Sequence, residues 1–334
     1  MSGSLVFVTG ATGFIGSQVV DFTLKAGYRV RLSVRRQEQI QTLKDTFSAY
    51  PDKLEFIIVT DFTKPGAFDE AVAGVDYVVH VASPMVGKGV DFQRDYIDPA
   101  VEGTLSVLEA AKTTSSVKRV LVMSSILALV PLETLAGGAG EPFVVKEHAN
   151  TKLPVDVNMD LPEGIPGHSI RYQGSKILAH QATATWVAKH QPAFPVVTFH
   201  PSFVTGPSLL QKRKQDIDSI NYLVLETLRS GEVTVPAVMV DVRDVADAFV
   251  KGLSAPVPAF QEVLLSGPAT TWGEVAQVAQ RLYPDAGFKL QPSVGDTPSM
   301  VAVTTAADEV LGVKWKSLEE LVRGLVDFQN SLAA

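Results

Sequence analysis

The chain has no cysteine among its 334 residues. Disulfide bridges, thiolate nucleophiles and cysteine-ligated metals are therefore excluded, and no metal is implied elsewhere. Long apolar runs are also missing. The stretch 117–130 is interrupted by polar residues and falls short of the roughly 20 residues that a bilayer-spanning helix needs. Positive charge is in deficit: 29 Lys and Arg against 36 Asp and Glu give a formal charge of −7, with a pI near 5.4. That balance disfavours nucleic acid or an anionic membrane as the main partner. No internal repeat or low-complexity tract occurs. A strand begins within the first few residues, which leaves no room for a targeting peptide and makes a soluble cytoplasmic protein the expectation. The length suits one large α/β domain, or a major domain with a smaller lobe.

The chain is organised around residues 4–16, SLVFVTGATGFIG. Leu5 to Val8 is a short run rich in β-branched and aromatic residues, the composition of a buried strand. Gly10, Gly13 and Gly16 follow at three-residue spacing. From Phe14 the apolar period lengthens to that of a helix, through Ile15, Val19, Val20 and Leu24. A strand, glycine turn and helix opening a βαβ unit can hold a pyrophosphate, because backbone N–H groups approach the phosphates at the positive end of the helix. The alternative is a glycine-rich turn without a ligand, but the position between strand and helix favours a nucleotide.

Gly27 stops the first helix, and Arg29 to Val34 reads as a second strand. An NAD site usually carries a carboxylate at the end of this strand, to accept from the adenosine ribose hydroxyls. Here the strand ends in Val34, Arg35 and Arg36. A guanidinium binds a 2′-phosphate through charge-assisted bonds where a carboxylate would repel it, so NADP(H) is the expected cofactor. Asp61, after a third strand at Leu54–Val59, is equally a turn former or a partner for the adenine amino group, with Phe62 beside it. A fourth strand, Asp76 to Val81, ends in small residues, Val81, Ala82 and Ser83, along which a cofactor can lie. His80 reads as a packed strand residue rather than a catalyst.

A helix follows over roughly 96–113, then a fifth strand, Arg119 to Met123, delivers Ser124 and Ser125 at its carboxyl end. Residues 131–168 form a long insert rich in Pro, Gly and polar residues, suited to walling a substrate cleft. A helix over about 170–190 places Tyr172 and Lys176 four residues apart, on one face. On its own that pair favours an ordinary amphipathic helix with an exposed lysine. A further strand at Val196–Phe199 leads to the loop 200–207. Beyond it, helices are expected at 217–230, from about 240 onward and at 271–282, with a late strand at Val263–Leu265. Ser317 and Glu320 form a capping-box pattern ahead of a last helix.

Taken together, the sequence resembles an extended short-chain dehydrogenase/reductase over nearly its whole length. The likeness rests on TGATGFIG at 9–16, HVASP at 80–84, VLVMSS at 120–125, YQGSK at 172–176, HPSFVTGP at 200–207, VDVRDVA at 240–246 and LGVKW at 311–315. Within that group it is most similar to the dihydroflavonol 4-reductase-like branch, including yeast and fungal NADPH-dependent ketone and aldehyde reductases. The resemblance implies a Rossmann-type doubly wound parallel sheet from residues 1–200 plus about 240–265. A smaller substrate-binding lobe would come from 203–238 and 266–334.

It also implies a catalytic set of Ser125, Tyr172 and Lys176. Tyr172 would protonate the developing alkoxide. Lys176 would lower the phenol's pKa from its ordinary value of about 10 and bind the nicotinamide ribose. Ser125 would hold the substrate oxygen. The dinucleotide would contact Gly10, Thr12, Gly13, Phe14, Ile15 and Gly16, then Arg35, Arg36, Asp61 and Phe62. Further along it would meet Val81, Ala82, Ser83, Tyr172 and Lys176, with Pro201 and Val204 holding the carboxamide.

The residues after Ser125 are wholly apolar, whereas sugar-nucleotide dehydratases of this superfamily carry an acidic pair there. Met85, Ile126, Phe143 and Phe203 would instead suit an aryl or alkyl ketone. The expected activity is NADPH-dependent reduction of a moderately hydrophobic ketone or aldehyde by a monomer or homodimer. The alternatives are an epimerase or a steroid-type alcohol dehydrogenase of the same fold, and a regulator that senses NADP(H) without chemistry.

Overall fold

A computed structural model of the chain describes residues 3–83, 89–132, 142–148, 152–294, 298 and 300–333. Among them the strands are β1 (Leu5–Thr9), β2 (Arg29–Val34), β3 (Leu54–Ile58), β4 (Tyr77–His80), β5 (Arg119–Met123), β6 (Phe143–Lys146), β7 (Val196–Pro201), β8 (Phe203–Thr205), β9 (Met239–Asp241), β10 (Phe260–Leu265) and β11 (Met300–Val303). The helices are α1 (Phe14–Lys25), α2 (Glu38–Thr46), α3 (Asp69–Val72), α4 (Asp98–Lys112), α5 (Gly164–His190), α6 (Ser219–Ser230), α7 (Val242–Gly252), α8 (Trp272–Leu282) and α9 (Leu318–Ser331).

Seven strands form one sheet in the order β10-β7-β5-β4-β1-β2-β3, and every neighbouring pair is parallel. The order reverses between β1 and β4, and in such sheets ligands bind in the crevice outside the carboxyl ends at that reversal. The side-chain alternation of β1 shows why the sheet needs helices on both faces. Leu5 and Phe7 pack with Ala71, Val107, Leu108 and Trp186 from α3, α4 and α5. Val6 and Val8 pack on the other face with Val19 and Leu24 of α1 and with Val245 and Phe249 of α7. A central strand buried on both faces must read as a continuous apolar run, and burying each such side chain stabilises the fold by about 1.5–3 kcal/mol.

Helix α5 begins at Gly164 rather than near 170. Pro166 is accommodated because it lies in the first turn, where its missing N–H has no helical acceptor. A turn of π-helix at Gln93–Ile97 runs straight into α4. Part of the insert is anchored: β6 pairs in parallel with β11, and the buried Val145 packs with Ile126, Leu127 and Leu264. The Glu147 carboxylate accepts from the amides of Leu264, at 2.6 Å, and Ala306, at 2.9 Å. Burial raises the pKa of this carboxyl to about 7, against the pull of those two bonds.

A separate apolar cluster joins α6, α8 and α9 through Val224, Leu228, Trp272, Val275, Leu321 and Leu325. Capping boxes start α8 (Thr271, Glu274) and α9 (Ser317, Glu320), and Asp218 caps α6. Among the described residues no helix is long and apolar enough to cross a membrane.

Candidate active site

The glycine turn is shaped by contacts that leave no room for side chains. Gly10 has φ +78°, and a Cβ there would lie 2.7 Å from the Ala82 amide nitrogen. A Cβ at Gly16 would lie 2.0 Å from the Gly10 carbonyl oxygen. The first turn of α1 has no side-chain cap and no acidic residue, so no side chain competes for its leading amides, the groups with which a helix N-terminus can hold an anion. Thr9 ties the turn to β4, since its Oγ1 lies 2.9 Å from His80 Nδ1 and accepts from the Ala82 amide at 3.2 Å. His80 is buried, and that burial, with Lys176 nearby, lowers its pKa to about 3. It is a neutral strand residue, as its sequence context suggests.

From this turn a cleft of about 590 Å³ runs along the carboxyl ends of the strands, within the range of small-molecule sites, about 300–1,000 Å³. At the near end its wall includes Gly10, Thr12, Gly13, Phe14, Ile15, Gly16, Arg35 and Phe62, and further on Val81, Ala82 and Ser83. The Arg35 guanidinium stands 5.7 Å from the centre of the Phe62 ring. The backbone amides of Arg35 and Arg36 both donate to Gln39 Oε1, at 2.9 and 3.2 Å. Arg35 lines the cleft and Arg36 does not. Asp61 is also off the wall; its carboxylate accepts from the amide and hydroxyl of Thr63, the turn-forming role, and those bonds lower its pKa.

At the far end the wall includes Ser125, Ile126, Tyr172, Lys176, Pro201, Phe203 and Val204. Ser125 leaves β5 and caps the short turn that follows, its Oγ accepting from the Leu127 amide at 3.2 Å. Burial raises the Tyr172 pKa to about 12, with a hydrogen bond to Ser125 opposing it. The Lys176 ammonium lies over the ring face, 5.5 Å from the centroid, and donates to Ser83 Oγ at 2.8 Å. Lys176 is not an exposed helix lysine. It is 5% exposed, and burial lowers its pKa to about 8. Phe143 packs beside Ile126 and Phe203 without lining the cleft, and Met85 lies outside the described residues.

Several wall residues carry no sequence signal for the role: Ser33, Gln39, Ser202, Asp218 and Ile220. Asp218 is readable as a helix cap, but nothing in its neighbours says that the cap faces the cleft.

A doubly wound parallel sheet with a glycine cradle at its reversal point defines the class: a Rossmann-type dinucleotide fold. The chain belongs to the NAD dependent epimerase/dehydratase family, whose model matches residues 6–262, that is, to the extended short-chain dehydrogenases/reductases. It is 36% identical to ketoreductase sphI of Aspergillus fumigatus, over 100% of this chain and 99% of that one. It is 30% identical to aldehyde reductase 2 of Sporidiobolus salmonicolor, over 98% and 97%. Among solved structures, yeast methylglyoxal/isovaleraldehyde reductase Gre2 complexed with NADPH matches with a TM-score of 0.81 at 25% identity, covering 97% of this chain and 98% of that one.

Proposed function

We propose that the protein is an NADPH-dependent carbonyl reductase that converts a moderately hydrophobic ketone or aldehyde to its alcohol. The observation that carries this reading is the Ser125–Tyr172–Lys176 set opening onto the same cleft as the glycine cradle. The cradle suits a dinucleotide, because Gly10, Gly13 and Gly16 line the cleft and the first turn of α1 carries no acidic residue to repel a phosphate. Arg35 lines the cleft with no carboxylate partner among the described residues, which suits a 2′-phosphate better than two ribose hydroxyls. The named reductase relatives and the NADPH-bound Gre2 support the same reading.

NADPH, when bound, supplies the hydride. The residues of this chain would do the rest. Ser125 Oγ and the Tyr172 phenol, hydrogen-bonded to one another, converge where a carbonyl oxygen would be held. As negative charge develops on that oxygen, Tyr172 transfers its proton to it. The buried Lys176 ammonium then stabilises the phenolate that remains, an effect enlarged by low local dielectric. Ile126, Leu127, Phe203 and Ile220 make the substrate end apolar, and the cluster of α6, α8 and α9 forms the lobe that carries part of that wall.

The test is NADPH consumption against aryl ketones, α-diketones and aldehydes, in wild type and Tyr172→Phe. We expect turnover in wild type and a fall of about 10²–10⁴-fold in the variant, with NADPH affinity retained. Cofactor kept through turnover without net consumption would point to an epimerase instead, and binding without any chemistry to a sensor.

A further inference from the structure

Beyond the glycine turn, the wall of the cleft includes Ser33, Val34, Arg35, Gln39 and Phe62. No carboxylate stands among them, and Asp218 at the far end is the one acid on the described wall. Arg35 is the one cation at this end, since Arg36 stands off the wall. Ser33 is 4% exposed, and its Oγ is buried without a partner among the described residues. Buried hydroxyls left unpaired are rare, and this one lies in the part of the wall where Arg35 stands.

Gln39 stands in the first turn of α2. Its Oε1 is the shared acceptor of the Arg35 and Arg36 amides. Two N–H groups aimed at one atom fix which end of the carboxamide is oxygen, because nitrogen there would set donor against donor. The Nε2 group keeps both of its N–H donors, with no protein acceptor among the described residues. Bracing the loop needs only the oxygen. The nitrogen is left for something in the cleft.

Resting on the NADPH reading above, we propose that the Gln39 side-chain amide is the second ligand of the cofactor's 2′-phosphate, in the role expected of Arg36 from the sequence. One guanidinium and one neutral donor then carry the distinction between the two dinucleotides. Arg35 brings charge and paired donors. Gln39 brings a donor already held by two backbone bonds, so little rotamer freedom is lost when the phosphate arrives. A neutral amide also suits the ribose hydroxyl that NADH presents in the same place. NADH is therefore accepted as well, and the 2′-phosphate is worth about 10- to 100-fold in affinity rather than an absolute choice.

The isosteric substitution Gln39→Glu separates bracing from binding. It keeps an oxygen for the Arg35 and Arg36 amides, and it replaces the free donors by a charge that repels phosphate. The probes are 2′,5′-ADP, which carries the 2′-phosphate, and 5′-AMP, which does not. Both are followed by titration calorimetry, so no turnover is needed.

Wild type should bind 2′,5′-ADP about 10- to 100-fold more tightly than 5′-AMP. In Gln39→Glu, 2′,5′-ADP should lose about 10-fold or more, while 5′-AMP stays within about twofold. Phosphorus NMR should show the bound 2′-phosphate titrating at higher pH in the variant than in wild type, because a nearby carboxylate disfavours its charged form. Most of the loss should persist at about 1 M salt, where the Debye length is about 3 Å, since the contact is direct. Three results overturn the proposal. The first is an affinity for 2′,5′-ADP within about twofold of wild type. The second is an equal loss on 5′-AMP, the mark of a disturbed loop. The third is a loss that vanishes in high salt, the mark of a distant field. A wild-type protein that binds 2′,5′-ADP no more tightly than 5′-AMP would instead remove the NADPH reading itself.

Discussion

The two ends of the cleft are built by different means. The end proposed for the cofactor is mostly backbone: strand termini held in register by β1, β4 and β5, and a turn whose glycines are demanded by contacts of 2.0 and 2.7 Å, with Arg35 and Phe62 as side chains on its wall. The end proposed for the substrate is side chain: Ile126 and Leu127 on a short turn, Phe203 on β8 outside the main sheet, Ile220 on α6. Backbone geometry admits few sequences, while an apolar wall admits many. One end therefore specifies its ligand narrowly and the other is open to variation.

Four substitutions and one change of condition probe that contrast. The largest effect is expected from Gly16→Val, whose Cβ would meet the Gly10 carbonyl. Overpacking should cost at least about 1–3 kcal/mol and abolish NADPH binding, as read by thermal melting and fluorescence titration. Wild-type affinity in that variant would break the claim that close-packed backbone shapes the glycine turn. Next, Arg35→Ala should raise the KM for NADPH by about 10-fold or more, through loss of a charged hydrogen bond, while the KM for NADH barely moves. Arg36→Ala should do much less, since it stands off the wall; equal effects from the two would show that the loop rearranges.

At the other end, Phe203→Ala should change kcat/KM ratios among ketones by about 3- to 10-fold and leave NADPH affinity alone. The smallest effect concerns pH. Burial lowers Lys176 to about 8, so its ammonium is intact below that value and lost above it. Activity at pH 8 should be about half its neutral level and fall further with rising pH. Because the unfolded chain keeps this proton up to the ordinary 10.5, Lys176 contributes stability that rises with pH between those values, which urea melts at fixed ionic strength would detect.

The same contrast governs what the sequence made legible. Leu5 to Val8 and the three glycines could be read because period and spacing are local, and β5 delivers Ser125 where strand and helix patterns predict. Tyr172 and Lys176 were visible as a pair on one face, but the burial of Lys176 was not, because it depends on distant segments such as Ser83, just after β4, arriving beside it. Arg35 and Arg36 look alike in the sequence, and only the fold shows that Arg35 alone of the two lines the cleft. The pairings of β6 with β11 and of β8 with β9 join segments too short and too far apart to announce each other. His180 and Glu262 meet across 82 positions, a separation that no motif spans.

The ladder between β6 and β11 also bears on the order in which the protein takes shape. Phe143 pairs with Met300, so during synthesis the first strand leaves the ribosome long before its mate exists. Pairings that distant close slowly, and an unmatched strand offers its hydrogen-bonding edge to other chains until they do. A nascent molecule would therefore have its nucleotide cradle assembled well before the segment beside its substrate wall is locked in place.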